Sequence, residues 1–433
     1  MNLLDYSLGL FNRVLTKEIT FAQAMNKYAG QLNVDNSDVT KIKDVLKSVI
    51  NRYYFFKWEL NEVIKDDFSS DEVNILIISL AFARYCRNVV ISDVLTWLKE
   101  SIKENNYKIN FEEAKNKISS IYQKPTTIDE FNKNIAYKRL SLMYSYPEWL
   151  IKMWLKHFGP KNTIKTISFT RSQTPIALSI NMMKGDFEAL NKDEDFTKSK
   201  LTTSGYSYVG KGKLNENKFF LNHDIFVLDH SLQFVVDILD PFQGDKVLIC
   251  SDNKTVALAT TLRMNDFGKV NYVCPNINAS NQTRLMASHF RLSNLIPIES
   301  SLSLLITHYQ YGEMDKVLCM PPSSDFGLIR KKPEIVITFK KEDMDNLIKV
   351  QKEYIEEFSK YVKDEGTFVY SVTTLNDKES RKIVKEFLNK HSEFFLMEEK
   401  IIFPYEYQTD GVYYAKMIKK SEEDLRLISM ERR

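Results

Sequence analysis

The chain has 433 residues, 43% of them apolar, with a formal net charge of +3. That length suits about three domains of ~100–200 residues each, and that apolar share argues against a disordered chain. Four cysteines with no C-x-x-C pair exclude a disulfide framework or a zinc knuckle, and six scattered histidines give no metal-ligand spacing. The charge is too mild to establish nucleic-acid binding, so local patches must carry that reading. No run approaches the ~20 apolar residues of a membrane span. Met1 to Val14 lacks the cationic start and unbroken apolar core of a signal peptide, so a cytoplasmic chain without membrane contact is expected.

Residues 1–125 read as a helical bundle. Ile42, Val45, Leu46, Val49, Ile50 and Tyr53 recur in steps of three and four, which gives one apolar face. Ser69 and Glu72 have capping-box spacing and predict a helix over 71–87. Further helices are expected at Asp93–Asn105 and Asn110–Tyr122. Pro125-Thr126-Thr127 marks a linker, because proline biases its predecessor away from helix. Pro147 and Glu148 suit a helical first turn, with Trp149 and Trp154 as packing anchors. Residues 126–220 then hold a linker and a small α+β subdomain. There Ile176, Leu178 and Ile180 alternate as a half-buried strand would. Gly205 to Gly212 is a near miss to a phosphate-binding loop. Gly212 replaces the Ser/Thr that would hold magnesium and no amphipathic helix follows, so a hairpin loop is the preferred reading.

From 221 to 433 strands and helices alternate. Strands are expected at Val247–Cys250, Val270–Cys274, Lys316–Met320, Thr367–Ser371 and Val412–Met417. Helices are expected at Thr255–Arg263, Gln282–Leu292, Met344–Val362 and Lys378–Asn389. Such alternation implies a mostly parallel, Rossmann-like sheet covered on both faces. The run Lys316 to Ile335 is the most informative. An apolar strand stops at Pro321-Pro322, which lack N–H groups. A Ser323-Ser324-Asp325 loop follows, then the cations Arg330-Lys331-Lys332.

This run resembles a motif of the RsmB-like (Sun/Fmu) ribosomal-RNA cytosine-C5 methyltransferases, in which a strand ends in Asp-Ala-Pro-Cys-Ser before Gly-Val-Ile-Arg-Arg and Pro-Asp/Glu-Ile. Pro321, Ser323, Gly327, Ile329, Arg330, Pro333, Glu334 and Ile335 match that frame, with one extra residue in the loop. The likeness extends to Tyr144-Ser145-Tyr146-Pro147-Glu148-Trp149-Leu150, Pro175–Asn181, Val227–Gln233, Thr367–Ser371 and Thr409–Lys416. It implies an α plus α/β architecture: a NusB-like helical domain at 1–125, a small subdomain similar to RNA-recognition folds within 126–220, and an S-adenosylmethionine methyltransferase core at 221–433.

The resemblance also implies a chemistry. In the family one cysteine thiolate adds to cytosine and a second assists release of the enzyme. Such covalent catalysis needs a readily ionised nucleophile. Here Thr373 stands at the nucleophile's place, with no base beside it in sequence. Pro322 or Ser323 stands at the releasing cysteine, and Cys319 or Met320 where an acid belongs. Cys250, Cys274 and Cys319 read as small buried hydrophobes on strands. The glycine-rich donor loop is shortened to Ser251-Asp252-Asn253-Lys254-Thr255 and holds no glycine, while Asn276 offers at best a remnant of the acid that holds ribose. The expectation is therefore a catalytically silent binder of structured RNA, small-subunit rRNA first, with no metal. Arg330, Lys331, Lys332, Lys211, Lys213, Lys161, Lys165 and Arg171 are the candidate phosphate contacts. Two alternatives stay open. One is an active S-adenosylmethionine-dependent enzyme with a rearranged site; the other is a scaffold that engages a protein partner through the helical domain.

Overall fold

A computed structural model describes residues 2–124, 136–184 and 187–421. The expected linker at Pro125-Thr126-Thr127 lies outside the described residues. The chain forms two compact units. One comprises Met1–Ser168 with Ile329–Lys341, the other Phe169–Leu328 with Glu342–Arg433.

The first unit is helical. Its main helices are Leu3–Leu15, Asn36–Glu59, Ser70–Tyr85, Ile91–Glu104, Phe111–Gln123, Ala136–Tyr144 and Glu148–Phe169, the last running one residue into the second unit. The Asn36–Glu59 helix buries Ile42, Val45, Leu46, Val49 and Ile50 of the stripe read from sequence, adds Val39 to it, and leaves Tyr53 half-buried. Ser70–Tyr85 is buried on every side from Glu72 to Ala83, which marks it as the central helix. It opens with the expected capping box: the Glu72 amide donates to Ser69 Oγ (3.2 Å) and the Ser69 amide to Glu72 Oε2 (2.7 Å). Glu148–Phe169 breaks at Gly159, whose φ of +73° precedes Pro160. Trp154 is buried beside Tyr146, and Trp149 lies against Phe339. In the 329–341 segment, Glu334 Oε1 accepts from the Phe21 amide at 3.1 Å.

The second unit holds two sheets. In the smaller, β1 (Ile176–Ile180), β2 (Phe196–Lys198), β3 (Gly205–Tyr208) and β4 (Ile225–Val227) pair antiparallel in the order β2-β3-β1-β4. The glycine-lysine stretch is thus strand β3 and its following loop. A Cβ on Gly210 would collide with the Asp195 carboxylate, so the backbone there encloses an acid and offers no cradle to phosphate.

The larger sheet contains β5 (Lys246–Cys250), β6 (Lys269–Cys274), β7 (Leu295–Glu299), β8 (Met314–Cys319), β9 (Val362–Val372), β10 (Phe394–Ile402) and β11 (Val412–Lys419). Their order is β10-β11-β9-β8-β5-β6-β7. Strands β9, β8, β5, β6 and β7 run parallel, and β11 enters antiparallel between β9 and β10. Strands β7 and β10 are additional to the sequence expectation. The helix expected at Gln282–Leu292 spans Ile277–His289, and that expected at Met344–Val362 spans Asp343–Ser359.

Two stretches with the family frame, 180 residues apart, meet inside this unit. Asp229 Oδ1 accepts from the Ser231 amide (3.0 Å), Ser231 Oγ (2.8 Å), the Asp410 amide (3.0 Å) and Thr409 Oγ1. Gln233 Nε2 donates to the carbonyls of Leu178 (3.0 Å) and Leu228 (2.7 Å), which fixes the small sheet to the helix that starts at His230. These frame residues are structural fasteners.

Candidate functional site

Strands β5 and β8 are neighbours, but the chain runs outward from β5 through β6 to β7 and only then crosses back to β8 on the other side of β5. Loops diverge at such a switch point and open a crevice at the strands' carboxyl ends. Two features lie there.

The first joins the loop after β8 to the loop after β9. Ser323 Oγ and Thr373 Oγ1 are 3.0 Å apart. Both donate to Asp325 Oδ1, at 2.9 and 2.6 Å. Asp325 adopts φ +57°, a left-handed conformation that aspartate tolerates and that turns the loop back on itself. The Gly327 amide donates to the Thr373 carbonyl (3.1 Å) and the Gly411 amide to the Gly327 carbonyl (2.9 Å). A Cβ on Gly327 would overlap the Gly411 carbonyl, so only glycine lets these backbones meet. No base adjoins Thr373 in sequence; the fold supplies Asp325 from 48 residues away.

Below the hydroxyls lies a buried carboxylate, Glu379, 0% exposed. Its Oε1 accepts from the Ser324 amide (2.8 Å) and Gln351 Nε2 (3.1 Å). Its Oε2 accepts from Ser324 Oγ (2.6 Å), Thr374 Oγ1 (2.9 Å) and Asn376 Nδ2 (2.9 Å). Gln351 Nε2 also holds the Pro322 carbonyl at 2.9 Å. Glu379 therefore fastens the two loops from beneath. Sequence inspection missed both acids, because each sits in an ordinary polar stretch and acquires a role only when the loops converge.

The second feature is a cavity of about 470 Å³ that touches the ends of β5, β6 and β8 and the loop after β7. That volume is ample for a small molecule, since ligand sites run ~300–1,000 Å³. Of the expected donor-loop remnants, Ser251 and Asp252 line it; Lys254, Thr255 and Asn276 do not. Lys254 Nζ donates to Gln282 Oε1 at 2.9 Å. Thr255 gives its amide to Asn253 Oδ1 at 3.0 Å, and the Asn253 amide goes to Ser251 Oγ at 3.1 Å. Asn276 caps the Ile277–His289 helix by accepting from the Ala279 amide at 3.0 Å. At the end of β6, where an acid would hold a ribose diol, Cys274 and Pro275 line the wall. S-adenosylmethionine, implied by the resemblance, is therefore only partly matched: the space is present, but the acid that would hold its ribose at the end of β6 is not.

The four cysteines are all buried. Burial pushes Cys250 up to about 12 and Cys319 well above the usual thiol range; Cys274 and Cys86 are raised too, again by burial first. Such thiols stay protonated at neutral pH and are poor nucleophiles. Among the described residues no group of three or more His, Cys, Asp or Glu is placed to hold a metal ion, and no helix is long and apolar enough to cross a membrane.

The cationic candidates are not gathered in one unit. Arg330, Lys331, Lys332, Lys161 and Lys165 lie in the first; Lys211, Lys213 and Arg171 lie in the second. Lys213 pairs with Glu216 at 3.2 Å, both exposed.

Residues 254–418 match the family model described as 16S rRNA methyltransferase RsmB/F. A Bacillus subtilis (strain 168) protein described as "Probable ribosomal RNA small subunit methyltransferase B" is 25% identical over 320 residues, which cover 65% of this chain and 68% of that one. The ribosomal RNA small subunit methyltransferase B of Yersinia enterocolitica is 27% identical over 205 residues, 45% of this chain and 47% of its own. The chain thus spans between about half and two thirds of the length of these relatives. Among solved structures, PH0851 superposes with a TM-score of 0.74 at 16% identity, covering 97% of this chain and 99% of that one. A methyltransferase homolog protein from Pyrococcus horikoshii gives 0.59 at 18% identity, covering 66% and 99%. At these identities the structural likeness is one of fold.

Proposed function

We propose that this chain, whose residues 254–418 belong to the RsmB/F family of 16S rRNA methyltransferases, binds structured RNA and transfers no methyl group. The family depends on S-adenosylmethionine. The observation that carries the proposal is the meeting of Ser323 and Thr373 at 3.0 Å, two hydroxyls sharing one carboxylate. On this reading they occupy the places of the family's two thiols, and Ser323, not Pro322, is the counterpart of the releasing cysteine. A hydroxyl ionises far less readily than a thiol, whose ordinary pKa is about 8.5. Frame residues beside the pair, among them Pro321, Gly327 and Gly411, resemble the family's while the reactive groups are changed, which suits a surface retained for holding RNA. Small-subunit rRNA is the first candidate, and Arg330, Lys331, Lys332, Lys211, Lys213 and Arg171 are the proposed phosphate contacts. The helical unit is the proposed site for a protein partner.

One observation favours a second reading. Asp325 lies 2.6 Å from Thr373 Oγ1, and a threonine with a positioned base is a known type of nucleophile. An active enzyme with a rearranged site would use that pair and would have to bind the methyl donor. Electrophoretic shift with 16S rRNA fragments tests the binding proposal. Phosphate contacts predict affinity that falls steeply between low and moderate salt, whereas absent or salt-independent binding overturns it.

A further inference from the structure

Helix Arg381–Lys390 follows the loop that carries Thr373 and buries Ile383, Val384 and Phe387, the last packed on Phe368 of β9 and Phe394 of β10. Lys382 and Lys385 are exposed on its outer face, and Lys378 is exposed in the turn before it. Glu386 is the helix's one acid, against Arg381, Lys382, Lys385 and Lys390. Surface helices commonly answer such cations with partners three or four residues away. Here the nearby acids are spent elsewhere. Glu386 stands one turn after Lys382, yet pairs with Lys352 of the neighbouring helix Asp343–Ser359 at 2.5 Å. Asp377 pairs with Arg381 and Glu356 with Lys390, both at 3.4 Å. Glu379 is buried under the loops. Asp345 and Glu353 line a groove with Leu302 and Lys349. Lys378, Lys382 and Lys385 form no ion pair among the described residues.

These three cations hold a fixed relation to the hydroxyl pair. Glu379 Oε2 holds Thr374 Oγ1 and Asn376 Nδ2. Asn376 in turn accepts from the Lys378 amide at Oδ1 (3.1 Å) and from Ser380 Oγ at its carbonyl (2.8 Å). The turn bearing Lys378 is thus set by the same carboxylate that sets the loop of Thr373.

We propose that an RNA strand with a base at Ser323 and Thr373 continues over the outer face of this helix, with its phosphates on Lys378, Lys382 and Lys385. This path rests on the RNA-binding reading and adds a contact surface to it. Uncompensated lysines attract phosphates by charge alone, with no demand on sequence. Phosphate is favoured over the carboxylates of an acidic protein because the stripe begins at the crevice where RNA is read to bind.

The test compares the full chain with its triple variant Lys378→Gln, Lys382→Gln, Lys385→Gln, by fluorescence anisotropy on a labelled 16S rRNA fragment across a salt series. Each phosphate contact steepens the fall of log K with log salt by roughly 0.7–0.9. Three contacts therefore make wild-type affinity fall about 20–40-fold more than the variant's between about 50 and 200 mM salt. The urea midpoint should not move, since all three side chains are exposed and outside ion pairs. Acetylation footprinting read by mass spectrometry gives the residue-level view: at low salt the RNA should protect Lys378, Lys382 and Lys385. Wild-type binding whose salt slope the variant shares, or an RNA complex in which these lysines stay fully reactive, overturns the path and leaves the RNA-binding reading standing. No binding by wild type overturns both. Protection of the three lysines by poly-L-glutamate but not by RNA overturns the path in favour of an acidic protein segment.

Discussion

Removing the carboxylate of Glu379 gives the sharpest test of how the two site loops are held. Glu379→Ala removes an acceptor of five hydrogen bonds. Ser324 Oγ and Thr374 Oγ1 lie 2.7 Å apart and can satisfy one another. Gln351 Nε2 keeps the Pro322 carbonyl. That leaves the Ser324 amide and the Asn376 amide group as buried donors without an oxygen, at about 1–3 kcal/mol each. Release of a buried charge offsets part of this, so a net loss of about 2–4 kcal/mol is expected. Glu379→Gln preserves the shape, and the Ser324 and Thr374 hydroxyls can turn to accept from the new NH2, but Asn376 Oδ1 is held by the Lys378 amide (3.1 Å), so only Asn376 Nδ2 loses its oxygen and the loss should be about 1–2 kcal/mol. Urea unfolding measures the totals, with m unchanged if the folded state keeps its compactness. Hydrogen exchange locates the effect, since amide protection should fall at 323–327 and 373–376 and persist in β5 and β6. An alanine variant within 1 kcal/mol of wild type, or unchanged exchange in both loops, would refute the assignment of Glu379 as their fastener.

Gly327→Ala forces a Cβ into the Gly411 carbonyl, so overpacking of about 1–3 kcal/mol or more is expected by the same unfolding assay, whereas a neutral result would mean that the loops separate freely. Arg84 Nη1 donates to both oxygens of the buried Glu59 (2.8 and 2.7 Å), and Arg84→Ala removes that guanidinium from a buried carboxylate at a cost of up to about 3–5 kcal/mol, read by the same unfolding assay. Burial opposes protonation of His391, but its hydrogen bonds to Glu393 (2.9 Å) and Glu356 (2.7 Å) prevail and hold its pKa above 6.5. A raised folded-state pKa contributes stability that is fully present below the unfolded value and lost as pH rises through the folded one. The Tm difference between wild type and His391→Gln should therefore be larger at pH 6 than at pH 9, and an equal difference would contradict the linkage. Burial raises the Glu334 carboxyl, so the same sign applies: its ionisation weakens the fold as pH rises. Glu334→Gln should gain Tm relative to wild type at pH 8 and lose that gain at pH 5.

The sequence made the large features legible because they follow from periodicity. The stripe from Ile42 to Ile50 and the apolar runs of β5, β6 and β8 bury the faces that their spacing implies. Strands β7 and β10 escaped for physical reasons. Strand β7 carries Pro297 and is tolerated at the edge, where one side needs no ladder. Strand β10 is the opposite edge and stays exposed from Phe395 through Lys400, so no alternation announces it. The site divides the same way. Thr373 and Ser323 stood out because familiar neighbours surround them, while Asp325 and Glu379 were invisible until loops about 50 residues apart came within hydrogen-bond reach. The cavity was equally unreadable, since a lost glycine turn gave no sign that the space beside it would stay open.

Silence of the site is settled most directly by methyl incorporation. Purified full-length protein, at a concentration equal to that of unmodified 16S rRNA, would be incubated with S-adenosylmethionine labelled on its methyl group. Incorporation into cytosine indistinguishable from a protein-free control is expected over hours. A label at one cytosine, abolished by Thr373→Val or Asp325→Asn, would contradict the account and establish a hydroxyl-based transferase instead.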